Sequence, residues 1–233
     1  MTDATRKPLA LVTGVGPGTG AAVSRRFADG GYRVAMLARD ANRLASLQEE
    51  IPDSIAVPCD VADPAALERA VAKVGRPKVV VHNAVGGAFG SFLEIDPDVL
   101  NRNFQVNTMG LLHLGRRVAP AMTARAKGAI IVTGNTSALR GRPNFAGFAP
   151  TKAAQRILAE AMAREIGPKG VHVAYVVIDA VIDSPRQRER FPGRSDAFYI
   201  KPAAIADECF HTAHQDRSAW SFLVEIRPFG ETW

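Results

Sequence analysis

Short runs of apolar, often β-branched residues alternate along the chain with longer stretches in which apolar residues recur at helical spacing. The short runs predict buried strands and the longer stretches predict amphipathic helices. The predicted strands span residues 9–13, 33–38, 55–57, 79–82, 130–133, 171–178 and 222–226. The predicted helices span residues 20–29, 43–50, 65–74, 98–125, 151–166 and 203–214. This order predicts an α/β fold, with a single Rossmann-type, doubly wound, mainly parallel seven-stranded sheet and helices on both faces.

The domain organisation follows from the absence of any break in this alternation. The sequence contains no linker, internal repeat or low-complexity run, so we expect residues 1–233 to form one domain. A segment rich in charge, Pro and Gly, residues 184–200, follows a predicted strand end. Open α/β sheets bind ligands at the carboxyl ends of their strands. We therefore expect a short lid at 184–200, and a solvated surface loop is the alternative.

Composition and charge narrow the classes of partner. The chain is 47% hydrophobic and 22% charged, as is usual for a globular protein, and its formal net charge is +6. A basic protein can bind nucleic acid, a membrane surface or a phosphorylated ligand. Here the basic residues are dispersed and no aromatic stacking platform accompanies them, so we expect no nucleic-acid partner. No stretch approaches the about 18 apolar residues of a membrane span, so we expect no membrane partner.

The numbers and positions of the cysteines and histidines bear on the cellular compartment and on whether a metal site is expected. Cys59 and Cys209 are too few for a disulfide framework, and the apolar run near the start is too short for a signal peptide. We therefore expect a cytoplasmic protein. His211 and His214 share a helix face without a third ligand nearby, so no metal site is expected.

The strongest local signal is a glycine-rich stretch between the first predicted strand and the first predicted helix. It contains Gly14, Gly16, Pro17, Gly18, Thr19 and Gly20. Glycines let the backbone turn tightly and approach a pyrophosphate, and a helix N-terminus offers free N–H groups to its phosphates. The stretch predicts a nucleotide site, and a turn without a ligand is the alternative.

The stretch Thr13-Gly14-x-x-x-Gly18-x-Gly20 resembles the cofactor loop of the short-chain dehydrogenase/reductase family. Further motifs of that family follow in the same order over nearly the whole chain. They contain Asp60 and Val61, Asn83 and Ala84, Asn107, Lys152, and Ile182 and Ser184.

The resemblance implies a role for each of these positions. Asp60 and Val61 would lie at the adenine, and Asn83 and Ala84 would contact the cofactor. Lys152 would hold the ribose, and Asn107 would support the active site. The backbone of Ile182 and the hydroxyl of Ser184 would hold the nicotinamide amide.

The end of the second strand bears on the choice of cofactor. An NAD-preferring enzyme places a carboxylate there, and this chain has Ala38 followed by Arg39. A guanidinium can bind a 2′-phosphate through two hydrogen bonds. We therefore expect NADP(H), with NAD(H) less favoured; Asp40, one residue later, is the alternative acid.

The catalytic centre departs from the family pattern. The family's proton-donating Tyr stands four residues before the Lys, where this chain has Phe148. The enoyl reductase branch places the Tyr at the position of Phe145, which fails for the same reason: Phe has no ionisable proton. The family's Ser falls on Asn135, which can donate a hydrogen bond to a substrate oxygen, and Ser137 lies two residues later.

These residues predict an NADP(H)-dependent oxidoreductase that transfers a hydride to or from a small C=O, C=N or activated C=C substrate. The proton would come from an atypical source: water, the substrate, or a residue such as Tyr199 or Asp179. The alternatives are an NADP(H)-binding sensor or regulatory protein, and non-redox chemistry of the kind that the family's halohydrin dehalogenases perform. By analogy with the family, we expect a homodimer or homotetramer that pairs through the long helices after the fourth and fifth strands.

Overall fold

The computed structural model describes residues 7–231, and its centre is a seven-stranded sheet. The described residues form nine strands, of which β7 and β8 lie outside this sheet: β1 (Leu9–Thr13), β2 (Arg33–Ala38), β3 (Ile55–Pro58), β4 (Val79–His82), β5 (Gly128–Asn135), β6 (Val171–Ile178), β7 (Val181–Ile182), β8 (Tyr199–Ile200) and β9 (Leu223–Ile226). The spatial order of the large sheet is β3-β2-β1-β4-β5-β6-β9, and every pairing in it is parallel. The Rossmann-type, doubly wound fold is thus confirmed.

Helices cover both faces of the sheet. They are α1 (Thr19–Asp29), α2 (Ala41–Glu50), α3 (Pro64–Val74), α4 (Pro97–Phe104), α5 (Gly110–Ala124), α6 (Ala149–Ile166), α7 (Pro185–Arg190) and α8 (Pro202–Ala213). One apolar core lies between the sheet and α3, α5 and α6. A second core lies between the opposite face and α1, α2 and α8. Because both faces of the sheet are covered, the central strands β1, β4 and β6 are buried along their whole length, which agrees with their apolar sequences.

The predicted helix at 98–125 consists of three pieces. A π-helical segment, Gln105–Met109, joins α4 to α5 without a break in the helical path. A π segment inserts an extra residue into a turn and redirects the side chains that it carries, and such segments are frequent at functional sites. The sequence predicted the length of this helix but not its irregular turn.

β5 is longer than the predicted strand at 130–133, because the structure extends it at both ends to Gly128 and Asn135. Glycine weakens an isolated strand, which is why the apolar run alone gave the shorter span. In the sheet, all eight residues of β5 pair in register with β6. The β5–β6 pairing therefore outweighs the low strand propensity of Gly128 and Gly134.

The segment 184–200 contains ordered structure. It includes α7 and β8, and β8 pairs with β7 in a small two-stranded parallel sheet beside the large one. Three of its arginines lie over aromatic rings: Arg188 over Tyr199, Arg190 over Phe191, and Arg194 over Phe198. Within residues 7–231, no helix combines the length and the apolar character that crossing a bilayer requires.

Candidate active site

A large cleft lies at the carboxyl ends of the strands, where the strand order reverses between β1 and β4. Its volume is about 1060 Å³. Ten of the predicted cofactor residues line it: Gly14, Gly16, Thr19, Gly20, Arg39, Asp60, Val61, Asn83, Ala84 and Ile182. This is the position at which open α/β sheets bind nucleotides.

The turn after β1 depends on Gly14. Its φ is +70°, and a Cβ placed there would lie 2.4 Å from the Cα of Ala84. The side-chain amide of Asn83 donates to the Gly14 carbonyl at 2.9 Å, and the Thr133 hydroxyl donates to Asn83 Oδ1 at 3.0 Å. The ends of β1, β4 and β5 are thus tied together. Through these two hydrogen bonds, Asn83 fixes the shape of the glycine turn.

The next residues form a cradle that fits a phosphate group. A Cβ on Gly16 or on Gly18 would meet nothing within 4 Å, so the packing of the chain itself does not require glycine at either position. No side chain caps the N-terminus of α1, and the buried Thr19 hydroxyl has no hydrogen-bond partner within residues 7–231. An open glycine surface, an unpartnered hydroxyl and the positive end of a helix together suit a pyrophosphate.

Arg39 and Asp40 follow β2, and either of them could contact the cofactor ribose. The structure gives these two residues different partners. The Asp40 carboxylate caps α2 by accepting from the Arg43 backbone N–H at 3.0 Å, and it pairs with the Arg43 guanidinium at 3.2 Å. Asp40 is therefore already engaged. Arg39 lines the cleft and has no ion pair among the described residues, so its guanidinium is available for an anion.

The inner wall of the cleft is held by Asn107, which lies in the π-helical segment and is fully buried. Its side-chain amide donates to the Gly86 carbonyl and to the Thr151 hydroxyl, each at 2.8 Å, and its Oδ1 accepts from the Gly86 N–H at 2.8 Å. Asn107 therefore connects the loop after β4 to the start of α6.

Lys152 lies behind this wall rather than in it. Its Nζ donates to the Thr133 carbonyl at 3.2 Å and to the Gln155 side-chain oxygen. The same oxygen accepts from the Tyr175 hydroxyl at 3.3 Å, while the Gln155 amide donates to the Asn107 carbonyl at 2.6 Å. Burial lowers the pKa of Lys152 to about 7, because a charged ammonium loses its hydration in the interior.

His82, at the end of β4, belongs to the same buried region. Its Nδ1 is 3.0 Å from the Thr13 hydroxyl, and its Nε2 has no hydrogen-bond partner within residues 7–231. Burial, together with the nearby charge of Lys152, lowers the pKa of His82 to about 3. The imidazole is therefore neutral at physiological pH.

Aromatic rings occupy the place where the family pattern has a tyrosine. The Phe148 ring is buried, and its centroid lies 5.7 Å from that of Phe89, which in turn lies 5.0 Å from that of Phe145. We call Phe89, Phe145 and Phe148 the phenylalanine cluster. A Cβ on Gly87, which lines the cleft, would lie 3.8 Å from the Phe148 ring, so the cluster adjoins this end of the cleft.

The remaining predicted residues lie around the cleft without lining it. The Asn135 side chain accepts from the Ser137 backbone N–H at 3.0 Å, and this bond leaves its amide hydrogens unused. Ser137 lines a second cavity, together with Arg140 and Arg142. The Ser184 hydroxyl caps α7 by accepting from Gln187 N–H at 3.3 Å.

The two residues considered as alternative proton donors are both engaged. The Tyr199 hydroxyl is buried and donates to the Phe191 carbonyl at 3.0 Å. The Asp179 carboxylate lies 3.9 Å from the Arg227 guanidinium.

The structure thus brings ten of the fourteen predicted cofactor-binding residues together in the cleft wall. The predicted residues that do not line the cleft are Pro17, Gly18, Ser184, Lys152, Asn107, Asn135, Ser137 and Phe148. The polar support around Lys152, which consists of Gln155 and Tyr175, was not predicted from the sequence. A signal was present, because Gln155 follows Thr151 and Lys152 by one helical turn and lies with them on the buried face of α6.

Comparison with known proteins shows the family to which the chain belongs. A family model described as short chain dehydrogenase matches residues 8–194. The chain belongs to the short-chain dehydrogenase family. It is therefore an oxidoreductase by class, and the resemblance that its motifs suggested is confirmed.

Individual members of the family show how far the similarity extends. D-erythrulose reductase of Gallus gallus is 36% identical over 165 residues, which cover 70% of this chain and 67% of that protein. Carbonyl reductase [NADPH] 2 of Sus scrofa is 33% identical over 165 residues, which cover 70% and 68% respectively. The crystal structure of a metagenomic short-chain oxidoreductase in complex with NADP superposes with a TM-score of 0.83 at 27% identity, covering 97% of this chain and 99% of that one.

Proposed function

We propose that this short-chain dehydrogenase is NADP(H)-dependent and transfers a hydride to or from a small organic substrate. The observation that carries the proposal is the cleft itself. Its wall contains Gly16 and the unpartnered Thr19, next to Gly18 at the N-terminus of α1, and it also contains Arg39, which has no ion pair within the described part of the chain. The crystallised relative in complex with NADP and the NADPH-dependent carbonyl reductase support the same cofactor.

In this proposal each part of the cleft contacts a different part of the cofactor. The cradle binds the pyrophosphate, and Arg39 binds the 2′-phosphate by charge-assisted hydrogen bonds. Asp60 and Val61 lie at the adenine, while Ile182 borders the nicotinamide. The bound cofactor supplies a hydride donor or acceptor.

The substrate would lie at the end of the cleft near Gly87, beside the phenylalanine cluster. The candidate reacting groups are C=O, C=N and activated C=C bonds. Phe148 cannot exchange a proton, so any proton that the reaction requires has another source. Asn135 can orient a substrate oxygen through its unused amide hydrogens.

The test of this proposal begins with NADPH binding and continues with NADPH consumption. The wild type and Phe148→Tyr are compared against a panel of ketones, imines and activated alkenes. We expect NADPH to bind to both proteins and at least one acceptor to be reduced by the wild type. If NADPH does not bind, the proposal fails; if it binds and the wild type reduces nothing while Phe148→Tyr reduces ketones, the chain is a binding protein.

The choice of NADP(H) over NAD(H) is tested by Arg39→Ala. Loss of the guanidinium removes a charge-assisted contact that only the 2′-phosphate can use, so we expect the Kd for NADPH to rise by about ten- to a hundred-fold and that for NADH to change little. Fluorescence titration measures both constants. Arg117→Ala removes an equal charge from an exposed arginine of α5 that pairs with Glu68 of α3, and it serves as the control. Equal weakening of both cofactors by Arg39→Ala would contradict the assignment.

The organisation of the molecule completes the proposal. We propose one domain over residues 1–233 with a short lid at 184–200, in a cytoplasmic homodimer or homotetramer. Support for pairing comes from α6, where Ile157 is 54% exposed. Support for a reducing compartment comes from Cys59 and Cys209, which are both buried and free.

A further inference from the structure

The second cavity, with a volume of about 810 Å³, adjoins the phenylalanine cluster, because Phe145 forms part of its wall. This volume lies within the range of about 300–1,000 Å³ that is usual for small-molecule sites. None of the residues that line the second cavity lines the nucleotide cleft. A ligand in the second cavity can therefore be bound at the same time as the cofactor.

The charges in the wall of this cavity all have the same sign. Its charged lining residues are Arg140, Arg142 and Arg156, and no aspartate or glutamate of residues 7–231 lines it. Arg156 is engaged, because it pairs with Glu160 at 3.1 Å and donates to the Ala138 carbonyl at 3.4 Å. Arg140 and Arg142 are exposed and have no ion pair among the described residues. The cavity thus offers two guanidinium groups to an anion.

Local hydrogen bonds hold the loop that carries these two arginines. The Arg140 N–H donates to the Thr136 carbonyl at 3.1 Å, and the Phe145 N–H donates to the Arg142 carbonyl at 3.2 Å. A loop that is ordered before a ligand arrives loses less conformational entropy on binding. Only Gly141 separates the two arginines along the chain, so both can contact the same ligand.

The rest of the wall is mainly apolar. Phe92 is 78% exposed and Leu139 is 45% exposed, and both line the cavity together with Phe145 and with alanine and proline residues. Covering such side chains removes apolar surface from water, which favours a ligand with an apolar part. An inorganic anion would leave this surface exposed, and the arginines would repel a cation.

We propose that the second cavity is a binding site for an amphipathic carboxylate. The carboxylate accepts hydrogen bonds from Arg140 and Arg142, because planar guanidinium groups match the geometry of its two oxygens. The apolar part of the ligand packs against Phe92 and Leu139. This site lies outside the nucleotide cleft and is additional to the proposed hydride transfer.

The experiment compares three probes by calorimetry on the full chain. The probes are 4-phenylbutanoate, its uncharged amide 4-phenylbutanamide, and acetate, which has a carboxylate but no comparable apolar part. We expect 4-phenylbutanoate to bind about ten-fold more tightly than either of the other two, because it alone uses both the arginines and the apolar wall.

Substitutions in the wall separate the two contributions. We expect Arg140→Gln and Arg142→Gln each to lower the preference for the carboxylate over the amide by about three-fold, and the double variant to abolish it. Arg76→Gln removes the same charge from an exposed residue that precedes β4 and lines neither cavity, so it should leave the preference unchanged. Phe92→Ser should weaken the carboxylate and the amide equally, because it removes apolar surface and no charge.

The arginines of the nucleotide cleft are the other candidate partners of a carboxylate. The titration with 4-phenylbutanoate is therefore repeated in saturating NADP⁺ and with Arg39→Ala, and we expect its Kd to change in neither case. Displacement by NADP⁺, or loss of binding in Arg39→Ala, would locate the carboxylate in the cleft and overturn the inference.

Three further results would also overturn it: no binding of 4-phenylbutanoate, equal binding of the carboxylate and the amide, or a preference that persists in the double variant. None of these results decides hydride transfer, which the NADPH binding and consumption assays test separately.

Discussion

At the scale of single residues, Gly134 and Tyr175 show how the interior around Lys152 is fitted together. A Cβ on Gly134 would lie 2.1–2.2 Å from atoms of the Tyr175 ring and hydroxyl. Tyr175 is fully buried and hydrogen-bonded to Gln155, so its ring has little freedom to move away. The absence of a side chain at Gly134 is therefore what admits the tyrosine, and through it the support of Gln155.

This fit predicts the effect of Gly134→Ala. We expect the free energy of unfolding to fall by about 2 kcal/mol, because overpacking a rigid site outweighs the small gain of replacing a strand glycine. Urea denaturation measures the change. Gly141→Ala is the matched control, since a Cβ there would meet nothing within 4 Å. In a Tyr175→Ala background the cost of Gly134→Ala should disappear; a cost that persists would show that the clash has another origin.

At the scale of elements, the π-helical segment between α4 and α5 determines where Asn107 points. From that turn the side chain reaches both Gly86 in the loop after β4 and Thr151 in α6. Thr108, on the same segment, adds a hydrogen bond to the Thr151 carbonyl at 3.0 Å. The segment thus connects the loop after β4 to α6 at the inner wall of the cleft.

Asn107→Asp tests these contacts, because an aspartate side chain has almost the same shape as an asparagine side chain. A carboxylate can still accept from the Gly86 N–H, but it cannot donate to the Gly86 carbonyl or to the Thr151 hydroxyl, and it buries a charge. We expect a loss of about 2–4 kcal/mol of stability and a weaker affinity for NADPH. Thermal and urea denaturation, with and without NADPH, measure both effects. Asn101→Asp, on the exposed side of α4, should change neither; a neutral result for Asn107→Asp would contradict the role of these contacts.

At the scale of the whole molecule, the parallel sheet places one ionisable amine deep in the protein. Lys152 has no carboxylate partner among the described residues, and its pKa falls from 10.5 to about 7 on burial. Between these two values the unfolded chain binds a proton that the folded chain does not. Stability therefore rises with pH across this interval. Above about pH 9 the thiol of Cys59, whose pKa burial raises to about 11, acts in the opposite direction.

The apoprotein should accordingly gain about 2 kcal/mol of stability from Lys152 between pH 7 and pH 9. Denaturant titrations at several pH values measure the slope. In Lys152→Met this part of the slope should vanish, whereas Lys73→Met, which removes an exposed amine of α3, should keep it. A wild-type stability that is flat or falls over this range, with Lys152→Met unchanged, would show that the amine is charged in the folded state.

The sequence alone determined the order of strands and helices along the chain, because hydrophobic periodicity and glycine position are local properties. It predicted the α/β class, the glycine turn at Gly14, and Arg39 as the partner of a cofactor phosphate. It also located Phe148 at the position of the expected acid, because that position depends only on spacing from Lys152.

Only the tertiary structure decided how those residues are supported and which of them line the cleft. From the sequence alone, either Arg39 or Asp40 could contact the cofactor ribose. In the structure the Asp40 carboxylate caps α2, so it is already hydrogen-bonded. The sequence predicts that Lys152 holds the ribose, and only the structure shows that its Nζ is hydrogen-bonded to the Thr133 carbonyl of β5 and to Gln155 of α6. Such contacts join residues distant in the chain, so their geometry exists only once the sheet has formed.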